Sequence, residues 1–76
     1  MIREKHQAYF KALGLHLQQI RKQQRLSQQE LANRCEVDRA KISSIETASE
    51  DFVLTTLLEL ADALEVDPKE LLDFNL

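Results

Sequence analysis

The sequence contains few of the residues that mark loops, strands or disulfide frameworks. Its 76 residues include one glycine, one proline, one cysteine and no tryptophan. Together with 43% hydrophobic and 30% charged residues, this composition is typical of a compact and mostly helical domain. The single cysteine, Cys35, has no partner for a disulfide or a cysteine metal site, so we interpret it as a small core residue.

Longer signals are lacking as well. No apolar run approaches the roughly 18 residues of a membrane span, and the N-terminus lacks the apolar stretch of a signal peptide, so we expect a cytoplasmic protein. A chain this short forms one domain with a modest core, which disfavours an enzyme with a deep pocket. His6 and His16 have no partner ligands nearby in the sequence, and we find neither a catalytic arrangement nor a glycine-rich phosphate loop. The sequence therefore predicts no catalytic activity, no cofactor and no metal site.

The net charge of −3 conceals a strong asymmetry along the chain. Residues 1–47 contain nine Lys and Arg against five Asp and Glu, a balance of +4, whereas residues 48–76 contain one Lys against eight acids, a balance of −7. Phosphate binding depends on a basic face and not on the average charge of the chain. The first part of the chain is therefore compatible with nucleic-acid binding, although a solubilising mixture of charges would also explain the pattern.

Apolar spacing predicts five helices and no strands, an all-α fold. The stripe of the first helix has spacings of three and four residues and is formed by Phe10, Leu13, Leu17 and Ile20. We expect this helix to begin near Ile2 or Arg3. Gly14 interrupts the stripe, which indicates a tolerated helix glycine, a bend or close packing against a neighbour.

Three later helices begin with recognisable capping residues. The segment "SQQE" places Ser27 three residues before Glu30, the spacing of a capping box. Asp38 is the expected N-cap of the third helix, and in "DPKE" Asp67 precedes Pro68 at the first helical position. The residues expected to face inward on helices two to five are Leu31, Ala32, Cys35, Ile42, Ile45, Leu54, Leu57, Leu58, Ala61, Leu64, Leu71 and Leu72.

Helices two and three are joined by about three residues, "CEV", which is typical of a helix-turn-helix. The first turn of the third helix carries Arg39 and Lys41, although cations at a helix N-terminus oppose the helix dipole. In a DNA-binding module this helix enters the major groove, where bases and phosphates would stabilise both side chains. Two solvated surface cations, weakly paired with Glu36 or Asp38, are the alternative interpretation.

Two stretches, "LGLHLQQIRKQQRLSQQELANRCEVDRAKISSIE" and "LLELADALEVDPKELL", resemble the Cro and phage-repressor (XRE-like) helix-turn-helix family of bacterial regulators. The similarity covers residues 13–72, which leaves residues 1–12 as an N-terminal helical extension of one domain spanning residues 1–76. The short length and "VDRAKISSIE" are also similar to the small controller proteins of restriction-modification systems. The resemblance implies a five-helix repressor-like DNA-binding domain that reads double-stranded DNA with its third helix, usually as a homodimer.

The resemblance also implies which residues contact the DNA backbone. Gln28 matches a position at the start of the second helix that grips a phosphate, and helix amides there are suited to anions. Lys41 and Ser43 match positions of the third helix that flank the base-reading residues and meet phosphate. Ordinary solvent exposure is the alternative interpretation for the serine.

Three further positions match residues that face the bases. Arg39 can bind guanine O6 and N7 bidentately, and Ala40 can touch a thymine methyl group. Ser44 matches a third base-facing position one turn later, with ordinary solvent exposure again as the alternative. Ile42 and Ile45 match core positions.

An internal ion pair is expected from the residues and from the resemblance. Arg21 follows Ile20 and Glu46 follows Ile45, so each charge flanks an apolar stripe. In the family the matching pair links helices one and three. The expected role is to hold the third helix in place, because breaking one side leaves a poorly compensated charge.

The C-terminal segment suggests how the chain assembles. The final segment "DFNL" places Phe74 close to Leu71 and Leu72. This is more apolar surface than so short a C-terminal segment needs to complete its own core. We predict a homodimer through helices four and five with these three residues in the interface. Completion of the monomer core is the alternative.

Three positions depart from the pattern of the family. Glu36 stands where the turn commonly has a left-handed glycine, which costs a residue with a Cβ roughly 1 kcal/mol or more. Ala48 replaces another frequent glycine. In the loop Ser49–Phe52, Glu50 and Asp51 would repel phosphate, unless the loop faces away from DNA. The sequence favours a sequence-specific transcriptional regulator acting on a palindromic operator; an antitoxin-like or regulatory protein-interaction module on the same fold is the alternative.

Overall fold

The computed structural model describes all 76 residues, which form five α-helices and no strands. The helices are α1 (Gln7–Gln23), α2 (Gln28–Ala32), α3 (Arg39–Glu46), α4 (Leu54–Leu64) and α5 (Pro68–Leu71). A 3-10 turn, Glu4–His6, leads into α1 close to the start that the sequence predicts. The all-α class and the number of helices are confirmed. None of the helices has both the length and the apolar character needed to cross a membrane.

All five helices contribute to one core, in which α4 packs against α5. α1 packs against α3 and α5, while α2 packs against α3 and α4. Every helix contributes at least one large side chain that is almost fully enclosed, namely Leu17, Leu31, Ile42, Leu60, Leu64 and Leu71. Since enclosing one such side chain contributes about 1.5–3 kcal/mol, all five helices depend on each other for stability.

The inward face of α4 differs from the prediction. Leu57, Ala61 and Leu64 are buried as expected, but Leu54 is 67% exposed and Leu58 is 45% exposed. Leu60, absent from the predicted stripe, is fully buried instead. α4 is apolar on more than one face. The spacing of its apolar residues therefore predicted a buried face that only partly coincides with the face that is buried in the structure.

Three helices end in a left-handed residue that is not glycine. These residues are Arg25 after α1 (φ 60°), Ala48 after α3 (φ 56°) and Glu65 after α4 (φ 57°). In each case the next amide donates to the carbonyl five residues earlier, at 2.9 to 3.2 Å, which is the Schellman arrangement. Ala48, which stands where the family frequently has glycine, is one of them, and such residues cost roughly 1 kcal/mol or more each.

Gly14 marks the closest approach of two helices. A Cβ atom at this position would lie 2.5 Å from the carbonyl oxygen of Ile45 and 2.7 Å from that of Glu46. Of the three interpretations open at the sequence level, close packing is therefore correct. The missing side chain lets α1 lie directly against the C-terminal turn of α3.

We predict that Gly14→Ala destabilises the fold although alanine is the better helix former. The methyl group must push α3 away from α1, a type of overpacking that typically costs about 1–3 kcal/mol, against a helix-propensity gain of about 1 kcal/mol. Chemical denaturation followed by circular dichroism measures the difference. Gln19→Ala, at an exposed position of the same helix, is the matched control and should change little. A Gly14→Ala variant as stable as the parent would contradict this account of the α1–α3 contact.

Candidate nucleic-acid interface

The start of α2 is fixed by a complete capping box. The Ser27 hydroxyl accepts the Glu30 amide at 3.0 Å, and the Glu30 carboxylate accepts the Ser27 amide at 2.8 Å. The hydrogen bond from the Ser27 backbone amide, and after it the Ser27 hydroxyl, hold the pKa of the Glu30 carboxyl below its ordinary value. The N-cap predicted for α3 is also confirmed, since the Asp38 carboxylate accepts the Lys41 amide at 2.8 Å.

The connection between α2 and α3 is longer than the three residues expected. It spans residues 33–38 because the last turn of α2 tightens, with the Arg34 and Cys35 amides donating to carbonyls three residues earlier. Glu36 does not adopt the left-handed conformation expected for it. Its amide instead donates to the Glu59 carboxylate on α4 at 3.2 Å. The turn therefore needs no glycine at position 36.

Arg21 and Glu46 form a bidentate ion pair between α1 and α3. Arg21 Nε lies 2.7 Å from Glu46 Oε2, and Arg21 Nη2 lies 2.9 Å from Glu46 Oε1. Both residues are buried, and Arg21 Nη1 also donates to the Leu26 carbonyl at 2.7 Å. The guanidinium thus connects α1, α3 and the entry to α2 in one network.

Two glutamines complete the hydrogen bonding of the buried carboxylate. Gln28 Nε2 donates to Glu46 Oε1 at 3.0 Å, and Gln18 Nε2 donates to the same oxygen at 3.4 Å. Burial alone would raise the pKa of Glu46, but the hydrogen bonds from Arg21 and Gln28 outweigh it and lower the pKa. The hydrogen bonds that Arg21 donates to Glu46 in turn raise the pKa of Arg21.

The exposed face of α3 presents most of the residues that the resemblance connects with DNA. Arg39 and Ala40 are exposed, while Ser43 and Ser44 are partly buried. The Ser44 hydroxyl donates to the Lys41 carbonyl at 2.8 Å, so its hydrogen is used within the helix. Arg39 has no ion pair and no side-chain hydrogen bond, which leaves all its donors available.

Lys41 and Gln28 differ from Arg39 because each already has a partner within the chain. The Lys41 ammonium donates to the Asp51 carbonyl and lies 3.8 Å from Glu50 Oε1. Gln28 uses one N–H of its amide for Glu46 and keeps a second for another acceptor. Neither internal contact was predicted. The contact of Lys41 could have been found from the sequence, because a cation and an acidic loop lie close together there. Nothing in the sequence pointed to the contact between Gln28 and Glu46.

The residues expected at a dimer interface lie in three different environments. Leu71 is fully buried in the monomer core, so the prediction that it contributes to an interface is wrong. Phe74 is partly buried, with its ring centroid 4.9 Å from that of Tyr9. Leu72 is 42% exposed, so it is not the buried residue that the helix pattern indicated, and it remains available for a contact.

A capped α2, a tight connection and an α3 fixed by a buried ion pair define a helix-turn-helix domain of the DNA-binding regulator class. Residues 12–74 match the family model described as a helix-turn-helix domain. Control protein C.BamHI from Bacillus amyloliquefaciens is 39% identical over 63 residues, which cover 82% of this chain and 78% of that protein.

Solved structures agree with this match. The restriction-modification controller protein C.AhdI from Aeromonas hydrophila has a TM-score of 0.85 and 32% identity, covering 90% of this chain and 99% of the other. A hypothetical transcription factor, NHTF, from Neisseria has a TM-score of 0.79 and 30% identity, covering 84% and 74%. The chain therefore belongs to the helix-turn-helix domain family, and its predicted resemblance to restriction-modification controller proteins is confirmed.

We predict that Glu46→Gln destabilises the fold by about 3 kcal/mol or more, because it leaves the buried Arg21 guanidinium without its counter-charge. Asp73→Asn, at an exposed position, is the control and should be nearly neutral. Urea denaturation at neutral pH measures both. A loss below 0.5 kcal/mol, on the order of an ordinary surface substitution, would contradict the structural role of the pair.

The same variant should also alter the dependence of stability on pH. Because the folded-state pKa of Glu46 is lowered, its stabilising effect is fully present above the unfolded-state pKa of about 4.3. That effect is lost as the pH falls through the lower folded-state pKa. Below about pH 4.3 the parent should therefore lose stability more steeply than Glu46→Gln.

Proposed function

We propose that the protein is a sequence-specific transcriptional regulator that binds double-stranded DNA as a homodimer on a palindromic operator. The observation that carries this proposal is the unpaired, exposed Arg39 in the first turn of a helix held by a buried ion pair. A rigidly held helix that presents free donors suits base recognition in the major groove. The similarity to restriction-modification controller proteins supports a role in regulating such a gene system.

The proposed contacts divide into base reading and backbone positioning. Arg39 binds a guanine edge, and Ala40 packs against a thymine methyl group. Ser44 faces the bases through its hydroxyl oxygen, since its hydrogen is donated within α3. Lys41 and Ser43 lie beside the phosphates, which position the helix but carry no sequence information.

Gln28 extends the backbone contacts to α2. Its amide nitrogen holds Glu46 with one hydrogen and offers the second to a phosphate oxygen. In this arrangement a phosphate contact on α2 is connected directly to the buried pair that fixes α3. Gln28 is thus proposed to orient the two helices of the motif on the DNA backbone.

The proposed dimer uses the apolar surface that the monomer leaves open. One recognition helix reads only a few base pairs, so two are needed, about 34 Å apart across a two-fold axis. Leu54 and Leu58 are exposed on consecutive turns of α4, and Leu72 is exposed after α5. Self-association through α4 in a two-fold arrangement would cover these side chains in both subunits. In this proposal Phe74, which is partly buried within its own subunit, also belongs to the interface.

We expect Arg39→Ala and Lys41→Ala to weaken DNA binding in different ways. Arg39→Ala should cost about 1–3 kcal/mol on the preferred site and flatten the preference at one base pair. Lys41→Ala should weaken all sequences similarly and lower the salt slope by about one unit. Affinities are measured on a duplex selected from a random pool and on a scrambled duplex, at several salt concentrations.

Both variants should remain folded, because alanine favours the helix and removal of either cation relieves repulsion from the helix dipole. Melting temperatures therefore serve as the control. If the parent shows no sequence preference and neither variant changes its affinity, DNA reading is excluded. The protein-interaction module would then be the better proposal.

Leu58→Glu should convert the dimer into a monomer, because two carboxylates would face each other across the two-fold axis in an apolar interface. Sedimentation equilibrium without DNA, at tens of micromolar protein, measures the mass. Gln23→Glu, which adds the same charge at an exposed position of α1, is the control and should leave the dimer intact. A monomeric parent under these conditions would refute the proposed assembly.

A further inference from the structure

The loop between α3 and α4 lies against Lys41. Of the two cations predicted to contact DNA, Lys41 is the one that already has an acidic partner. The Lys41 ammonium donates to the Asp51 carbonyl, and the Glu50 carboxylate is 3.8 Å away. The Lys41 side chain retains 31% of its exposure, and that of Glu50 retains 64%. The pair therefore sits at the surface of the molecule, where a phosphate can reach it.

The acidic loop is anchored on both sides of this contact. Before it, the Ser49 amide donates to the Ser44 carbonyl at 2.9 Å. After it, Phe52 packs edge-on against Phe10 of α1, with ring centroids 5.6 Å apart. The Asp51 carboxylate accepts the Phe52 amide at 2.8 Å, so its backbone carbonyl is the group that reaches Lys41.

These anchors have an energetic consequence for any phosphate that approaches Lys41. The incoming phosphate must compete for the ammonium with one hydrogen-bond acceptor, the Asp51 carbonyl, and with one charged neighbour, the Glu50 carboxylate. It must also approach the uncompensated charge of Glu50 once that pair separates. Like charges at such short range repel, and the effect is strongest at low ionic strength.

We propose that the Ser49–Phe52 loop is a built-in competitor for the DNA backbone, with Glu50 taking the place of a phosphate at Lys41. This inference rests on the proposed function and assigns a regulatory element to the same site. The competitor lowers affinity for every duplex by the same factor, because Lys41 contacts backbone and not bases. Base preference, which depends on Arg39 and Ala40, is unaffected.

The test is the isosteric change Glu50→Gln, which removes the competing charge and keeps the size of the side chain. Duplex affinity should rise about two- to five-fold at low salt, the range of an exposed ion pair. The gain should be equal for the selected and the scrambled duplex, and it should shrink as salt screens the pair. Asp62→Asn removes the same charge at an exposed position of α4 and is the matched control.

A double-mutant cycle separates competition at Lys41 from general repulsion by the loop. In a Lys41→Ala background Glu50→Gln should produce a smaller gain, because only the direct repulsion between Glu50 and phosphate remains. A gain as large as that in the parent overturns the proposal. The proposal is also overturned if the parent binds duplex DNA but Glu50→Gln and Asp62→Asn have the same affinity for it. A parent that binds no duplex would overturn the proposed function itself.

Discussion

The buried ion pair between Arg21 and Glu46 is the interaction on which the geometry of the motif depends. Both charges are removed from water, so the pair stabilises the fold only when all its polar atoms have partners. Leu26, Gln18 and Gln28 supply them. Because the partners come from α1, α2 and the α1–α2 turn, satisfying both members of the ion pair sets the position of these three segments relative to α3. The orientation of α3 is therefore a consequence of buried electrostatics as well as apolar packing.

Polar side chains of α1, and of Gln24 directly after it, also form hydrogen bonds to other helices. Gln7 donates to the Ala48 carbonyl at 3.0 Å, and Gln24 donates to the Leu64 carbonyl at 2.8 Å. The imidazole of His16 lies 2.7 Å from the Glu70 carbonyl. These acceptors lie at or just after the ends of α3, α4 and α5, where carbonyls have no partner within their own helix. The longest helix thus positions the others by satisfying their C-terminal groups.

Features set by local chemistry could be predicted from the sequence, whereas most of those set by tertiary contacts could not; the Arg21–Glu46 pair, which the family resemblance also implied, is the exception. The caps at Ser27 and Asp38 depend on residues three positions apart, and both are present. The exposed face of α4 was misjudged because Leu54 and Leu58 continue an apolar pattern that the core does not use. Likewise, the conformation of Glu36 depends on a carboxylate of α4 that no sequence spacing connects with it.

The two cations in the first turn of α3 repel the positive end of the helix dipole, and the structure compensates them to different extents. Each opposes the helix dipole by about 0.3–1 kcal/mol. The Asp38 carboxylate supplies a compensating negative charge at the helix start, and Lys41 extends to the acidic loop. Arg39 has no comparable partner within the chain. The proposed guanine contact would give this exposed guanidinium an acceptor outside the protein, so the proposed function accounts for a cation that the fold itself does not need.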